Sequence, residues 1–237
     1  MGDFDVGYDR DRSSLTFTGP YGKSYFFIFE KLDKVYKRGN IPRYSRDDAV
    51  KFAEKHETFR IRPDLTLADY WKTSTSFTLV PTEEGTYKIW TWGRIACAGD
   101  ASAKMTPNIG AGGNCGIESA AALANAIKAI ANRSHGERPS EELIKEELKS
   151  YQKKREKRAA AIVKTAGEVT RMQAMASLRY RFQDWLFWLY PGDYTAEILG
   201  DYFVDAEMLV RSPHYNLESN SKANNCPRHI SLRPRRL

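Results

Sequence analysis

Asp100 follows a short apolar run, Ile95-Ala96-Cys97-Ala98, and precedes a loop that carries Pro107, Gly110, Gly112 and Gly113. A carboxylate in that place repels phosphate but accepts charge-assisted hydrogen bonds from hydroxyls. Glycines lack a Cβ, so their backbone N–H groups can approach a ligand closely. From about Asn114 an Ala-rich stretch places Ile117, Ala120, Ala121, Ala124, Ile127 and Ile130 at helical spacing. The start of such a helix turns positive partial charge toward whatever the loop holds. The chemistry this pattern suits is the holding of a polyol near Asp100 and of an electron-rich oxygen or nitrogen at the helix start. A strand–turn–helix with an Asp cap and tightly packed glycines fits the same spacing equally well, because short glycine motifs are weak signals.

The elements that must position this stretch can be read from the flanking sequence. Leu15–Thr18 and Ser24–Glu30 alternate as two strands, with Gly19-Pro20-Tyr21-Gly22 as the turn between them. Their aromatic residues are expected mainly in the core. Ser45 reads as an N-cap, with Asp47 and Asp48 in the first turn of a helix that carries Val50, Phe52 and Ala53. A short second helix is expected over Leu65–Trp71. A strand is expected at Thr75–Val80, and Tyr87–Trp92 leads into the motif strand, where the alternation of Trp90 and Trp92 with polar residues fits a half-buried strand with both packed or the edge of a ligand pocket. After a polar linker at Asn132–Pro139, Ser140 caps a long helix whose Leu143, Ile144, Leu148 and Tyr151 form one stripe. The run Lys153-Lys154-Arg155-Glu156-Lys157-Arg158 has no interleaved aromatics and lies in a helical pattern, so it reads as a solvated face, not as a nucleic-acid contact.

The 237 residues can bury a sizeable core, and 41% hydrophobic with 28% charged residues is ordinary for a globular protein. A net charge of +7 favours anionic partners only weakly. Cys97, Cys115 and Cys226 have no metal or redox spacing and read as reduced thiols, two of them packed around the glycine motif. The acidic start MGDFDVGYDRDR lacks the apolar core of a targeting peptide, and no apolar run is long enough to span a bilayer. The aromatic run Asp184–Tyr190 leaves two readings open, packing on the body or peripheral membrane contact. From Ser212 the chain is polar and proline-bearing and is expected to be disordered. An intracellular protein, cytoplasmic or membrane-associated, is the resulting expectation.

The run G-D-A-x-x-K-M-T-P-N-I-G-x-G-x-N-x-x-I-E-x-A-x-x-L-A-N, from Gly99 to Asn125, closely resembles the second FAD-binding motif of the group A flavin monooxygenases. It is most similar to the fungal branch of indole-diterpene and meroterpenoid pathways. Looser similarity runs from about Gly7 to Arg211 through LTFTG, FEKLDKVY, IPRYS and FTLVPTEEG. The resemblance implies that Asp100 bonds the flavin ribityl chain, that Pro107 packs beside the isoalloxazine ring, and that Gly110, Gly112, Gly113 and Asn114 form the turn at its N1–C2=O edge. The family usually carries His where this chain has Ala103, which puts the packing beside the flavin in question. Tyr8 lies at the start of the sheet region on which related hydroxylases carry a tyrosine that orients or deprotonates the substrate, so it is the catalytic candidate the resemblance offers, while the residue itself reads first as a structural tyrosine.

What the resemblance implies is an FAD-dependent monooxygenase of fungal secondary metabolism. NADPH and O2 would serve epoxidation or hydroxylation of a lipophilic terpenoid or meroterpenoid through a flavin C4a-hydroperoxide. The resembling enzymes begin with a dinucleotide-binding βαβ unit, and no G-x-G-x-x-G occurs before Gly93. The expected fold class is therefore α/β, or α+β as truncated: the C-terminal part of the flavin monooxygenase fold. Its expected parts are a substrate-side antiparallel sheet with helices over residues 1–92, the second FAD motif over 93–131, a helical region over 132–211 and a tail over 212–237. An inactive remnant and a basic anion- or nucleic-acid-binding protein are the two alternatives.

Overall fold

The computed structural model describes residues 4–37, 39–62, 64–187 and 206–210. These fall into two compact units, one built from residues 4–83 with 167–187 and the other from 84–166 with 206–210.

The first unit is organised on an antiparallel sheet of β1 (Phe4–Asp9), β2 (Arg12–Thr18) and β3 (Ser24–Glu30), in that order. The strands expected at Leu15–Thr18 and Ser24–Glu30 are present, and β1 adds a third that sequence reading did not assign. Asp11 turns the chain from β1 into β2 at φ 60°, a left-handed conformation that Asp tolerates better than most residues. The central strand β2 carries buried small or compact residues, Ser13, Ser14, Leu15 and Thr16. The register places Tyr8 opposite Ser13, and Ser13 opposite Phe29.

Alternation along β3 then divides its aromatics between two faces. Phe26 and Ile28 pack on a core of Phe59, Ile61 and Leu67, with Tyr70 alongside. Phe4, Phe17, Tyr25 and Phe27 line the opposite face and remain exposed. The expectation that the strand aromatics are mainly core thus holds for one face only, because a strand cannot bury both faces against one layer.

Over the packed face lie α1 (Arg46–Lys55), the short pair β4 (Arg60–Arg62) and β5 (Leu65–Thr66), and α2 (Leu67–Thr73). Ser45 caps α1 as expected, its Oγ accepting from the Asp48 N–H at 3.2 Å while Asp48 Oδ2 accepts from the Ser45 N–H at 2.8 Å. Such a capping box stabilises a helix start by about 1 kcal/mol. Buried His56 follows α1, with Arg12 Nη1 at 3.2 Å from Nδ1 and Glu30 Oε2 at 3.3 Å from Nε2, so it ties the helix to the sheet.

Thr75–Val80 forms no strand. Its β-branched and aromatic residues suit a pleated surface, but among the described residues no strand pairs with it to complete a ladder. Phe77 instead packs on Trp71, the ring centroids 4.1 Å apart, and lies beneath the Arg46 guanidinium.

In the second unit, β6 (Gly85–Thr86), β7 (Thr91–Trp92), β8 (Ile95–Ala96) and β9 (Ala103–Lys104) form two small ladders, β6 with β9 and β7 with β8. The expected motif strand is therefore one arm of a tight hairpin turning at Gly93, whose φ of 56° favours glycine. Trp90 is buried and donates from Nε1 to the Tyr87 carbonyl at 2.7 Å, whereas Trp92 is exposed, so only one of the two tryptophans packs as expected.

Two long helices complete this unit, α3 (Ala111–Arg133) and α4 (Glu141–Gln173), the latter continuing past Ala166 into the first. Ser140 Oγ accepts the Leu143 N–H at 3.2 Å, as its capping role requires. Ile144, Leu148 and Tyr151 form the buried stripe of α4, while Leu143 lies at its margin. A short helix, α5 (Leu178–Phe187), follows α4 and holds the first half of the aromatic run. Residues 188–190, the polar stretch from Ser212 and Cys226 lie outside the described residues. No described helix is long and apolar enough to cross a membrane.

Candidate cofactor site

The second unit contains a broad-mouthed cavity of about 530 Å3 lined by Gly99, Asp100, Met105, Thr106, Pro107, Gly110, Gly112, Gly113 and Gly116. Its walls follow from local backbone geometry. Gly99 turns out of the hairpin at φ 58°, placing exposed Asp100 at the rim. Pro107 opens a single helical turn that Gly110 ends in the left-handed region at φ 64°, with the Gly110 N–H bonded to the Pro107 carbonyl at 2.8 Å. Gly110 is at once the end of that turn and the N-cap of α3, and it has no side chain to satisfy the first helical amides. A Cβ added at Gly112, Gly113 or Gly116 would meet nothing within 4 Å. Side chains there would project into free space, so three missing side chains make the cradle.

Five of the residues singled out in the sequence, Asp100, Pro107, Gly110, Gly112 and Gly113, are brought together in this wall. Asn114 is not part of the lining. Its Nδ2 donates to the Gly110 carbonyl at 3.2 Å and braces the turn from behind. The helix begins at Ala111, three residues before the expected start at Asn114, because a glycine N-cap gives no Ser/Thr/Asp signal to read. Tyr8 belongs to the first unit, on β1 opposite Ser13.

Beneath the cradle, α3 packs on α4 through Ala111, Cys115, Ala122 and Ala126 against Tyr151, Ala159, Ile162 and Val163. Between the helices, Glu118 (5% exposed) pairs with Arg155 (1% exposed) and receives Arg158 Nε at 2.7 Å. Lys153, Lys154 and Lys157 are solvated as expected, but Arg155 is not. It continues the stripe of Leu148 and Tyr151 one turn further, and that period was the signal available for finding it. Burial pushes the Cys115 thiol up, with the Arg155 guanidinium opposing the shift. Burial also raises the Tyr151 hydroxyl, which donates to the Cys97 carbonyl at 2.8 Å. Cys97 and Cys115 are both free thiols near the motif, as their lack of spacing implied.

Residues 34–166, more than half of the chain, match the FAD binding domain family, and this range contains every residue that lines the cavity. The chain belongs to that family.

The chain is 43% identical over 216 residues to the FAD-dependent monooxygenase verC1 of Penicillium polonicum, covering 88% of this chain and 26% of the relative. It is 35% identical over 204 residues to the FAD-dependent monooxygenase cdmI of Talaromyces verruculosus, covering 85% and 43%. The chain thus spans less than half the length of these relatives. Among solved structures, CtdE in complex with FAD and substrate has a TM-score of 0.53 at 16% identity, covering 73% of this chain and 40% of that one. A salicylate hydroxylase substrate complex has 0.50 at 20% identity, covering 84% and 48%. These likenesses show a partial flavin-hydroxylase fold. Ala103, where the resembling enzymes usually carry His, is buried with Trp90, Ala122, Ala126 and Tyr151. A ring at that place would have to displace this core.

Proposed function

We propose that this chain forms the flavin-holding part of an FAD-dependent monooxygenase of fungal secondary metabolism. The observation that carries the reading is the cradle itself, a glycine wall with one carboxylate at its rim and an uncapped helix start. These residues fit the flavin and ribityl parts of FAD. Asp100 would accept hydrogen bonds from ribityl hydroxyls, and Pro107 would pack beside the ring. The amides of the Gly110–Gly113 turn, backed by α3, would favour negative charge on the ring's polar edge. When bound, FAD would supply the redox chemistry, taking electrons from NADPH and passing them to O2, one atom of which enters the substrate.

The chain's own part is to bind, orient and exclude water. The exposed aromatic face of the first unit, with Phe4, Phe17, Tyr25 and Phe27, suits a flat lipophilic molecule and supports a terpenoid or meroterpenoid substrate. Tyr8 shares that face by register and is proposed to orient the substrate through its hydroxyl. Epoxidation of a prenyl double bond is the proposed reaction, hydroxylation the second.

Among the described residues that line the cavity Asp100 is the only charged one, so these residues offer no cation to a diphosphate. Riboflavin, which has the ring and ribityl chain without phosphate, is therefore the probe matched to this chain. Fluorescence titration should show riboflavin quenched by the chain, with FAD bound no more tightly. Asp100→Ala should weaken riboflavin about tenfold, the loss of one charge-assisted hydrogen bond. Absence of quenching, or an unchanged titration with Asp100→Ala, would overturn this reading.

A further inference from the structure

Residues 206–210 belong to the second unit and lie against α3. Asn125 meets them with both ends of its side-chain amide. Its Nδ2 donates to the Met208 carbonyl at 2.9 Å, and its Oδ1 accepts the Val210 N–H at 2.8 Å. A carbonyl and an N–H two residues apart are what a sheet edge reads when a parallel strand is added to it. One side chain here takes the place of that edge. Asparagine suits the task because its amide carries a donor and an acceptor at once. The same Nδ2 lies 3.2 Å from Glu207 Oε1, the one side-chain atom of the segment in this set of bonds.

Two more residues of α3 extend the contact. Glu118 Oε1 accepts the Glu207 N–H at 3.1 Å, and Lys128 Nζ donates to the Val210 carbonyl at 3.4 Å. Glu118 and Asn125 are two helical turns apart, so they share one face and stand about 10.5 Å apart along the axis. The Glu207 and Val210 N–H groups that they bind span about 10 Å in extended chain. The two lengths agree, which makes the segment extended and parallel to α3. Ala121 and Ala122 lie between the two readers, and their small side chains let a backbone lie close to the helix. The Glu118 oxygen that takes the Glu207 N–H also pairs with Arg155 and Arg158, so the segment is tied to the ion cluster between α3 and α4.

We propose that Glu118, Asn125 and Lys128 form a docking site for one extended polypeptide segment, read through its main chain, with residues 206–210 of this chain as the occupant. The site requires a carbonyl and an N–H at fixed spacing and is indifferent to the side chains between them. Met208, Leu209 and Val210 are exposed among the described residues, in keeping with recognition by backbone. The inference stands apart from the flavin reading, since none of the three docking residues lines the cavity.

Amide exchange followed by NMR on the full chain tests it. The Glu207 and Val210 N–H groups should exchange about tenfold more slowly than in an open segment, the protection one net hydrogen bond provides. Met208→Ser, Leu209→Ser and Val210→Ser together should leave Glu207 protection within about twofold of wild type, because every main-chain group remains. Val210→Pro removes the N–H that Asn125 reads yet favours extended backbone before it, and should speed Glu207 exchange about tenfold. Asn125→Ala should do the same, and alanine, the best helix former, keeps α3 intact. An unprotected wild type, or protection that survives either Asn125→Ala or Val210→Pro, overturns the proposal. So does protection lost with the three serines, since apolar side chains then hold the segment.

Discussion

The sheet of the first unit and helix α3 of the second solve the same problem with different side chains. Each has one apolar face packed within its own unit and one left bare. The bare face of the sheet carries Phe4, Phe17, Tyr25 and Phe27, with the rings of Phe4 and Phe17 4.7 Å apart and those of Phe17 and Phe27 6.2 Å apart. The bare face of α3 carries glycine, alanine and two isoleucines. Broad aromatic surface suits a flat ligand, whereas small residues let another backbone come close.

The two regions also differ in what fixes them internally. The sheet rests on side-chain alternation, while α3 is clamped to α4 by the buried Glu118 and its two arginines. Glu118→Gln removes the charge but keeps the shape, leaving Arg155 buried without its counter-ion. It should cost about 3–5 kcal/mol in urea unfolding, the largest effect expected here. A loss below about 1 kcal/mol would mean that water reaches the pair and that small-residue packing alone fixes the helices.

The sheet comparison is sharpened by two neighbours on β3. Phe26→Ala should destabilise by about 3 kcal/mol, since Phe26 packs on Phe59, Ile61 and Leu67. Phe27→Ala should change stability by about 0.5 kcal/mol or less, because its ring is 45% exposed. Equal losses in thermal unfolding would show that the aromatic face is covered in solution.

A further small effect concerns pH. Burial pushes the Glu30 carboxyl up, but hydrogen bonds and charge from Lys55 and His56 outweigh it and hold it below the ordinary glutamate range. A carboxylate whose folded pKa is depressed contributes stability above the unfolded value near 4.5, and that stability is lost as pH falls through the folded value. Glu30→Gln should therefore cost under about 1 kcal/mol at neutral pH, with the difference from wild type closing below pH about 4.5. A gap that persists at lower pH would assign the effect to packing.

Local grammar was legible where one residue type has one physical meaning. The Ser45 and Ser140 caps, the alternating β3 and the 3.6-residue period of α3 and α4 all stand where residue patterning put them. The cradle was legible because glycines cluster beside a carboxylate, and Asp100, Pro107, Gly110, Gly112 and Gly113 do share one wall. Thr75–Val80 was misread because a strand needs a partner that local sequence cannot supply. The α3 start was placed late because a glycine cap carries no side-chain signal.

By itself, the sequence determined the long helices and the strands β2 and β3, and it placed the glycines where a ligand can approach backbone. Propensity, capping and periodicity act over a few residues, so they survive in a linear reading. Tertiary structure alone decided which apolar face of each element is covered. It buried Arg155 within a lysine-rich run, because only a folded chain brings Glu118 to it. It also left Ile117 and Ile127 exposed, because apolar periodicity marks a face but carries no record of whether that face is packed.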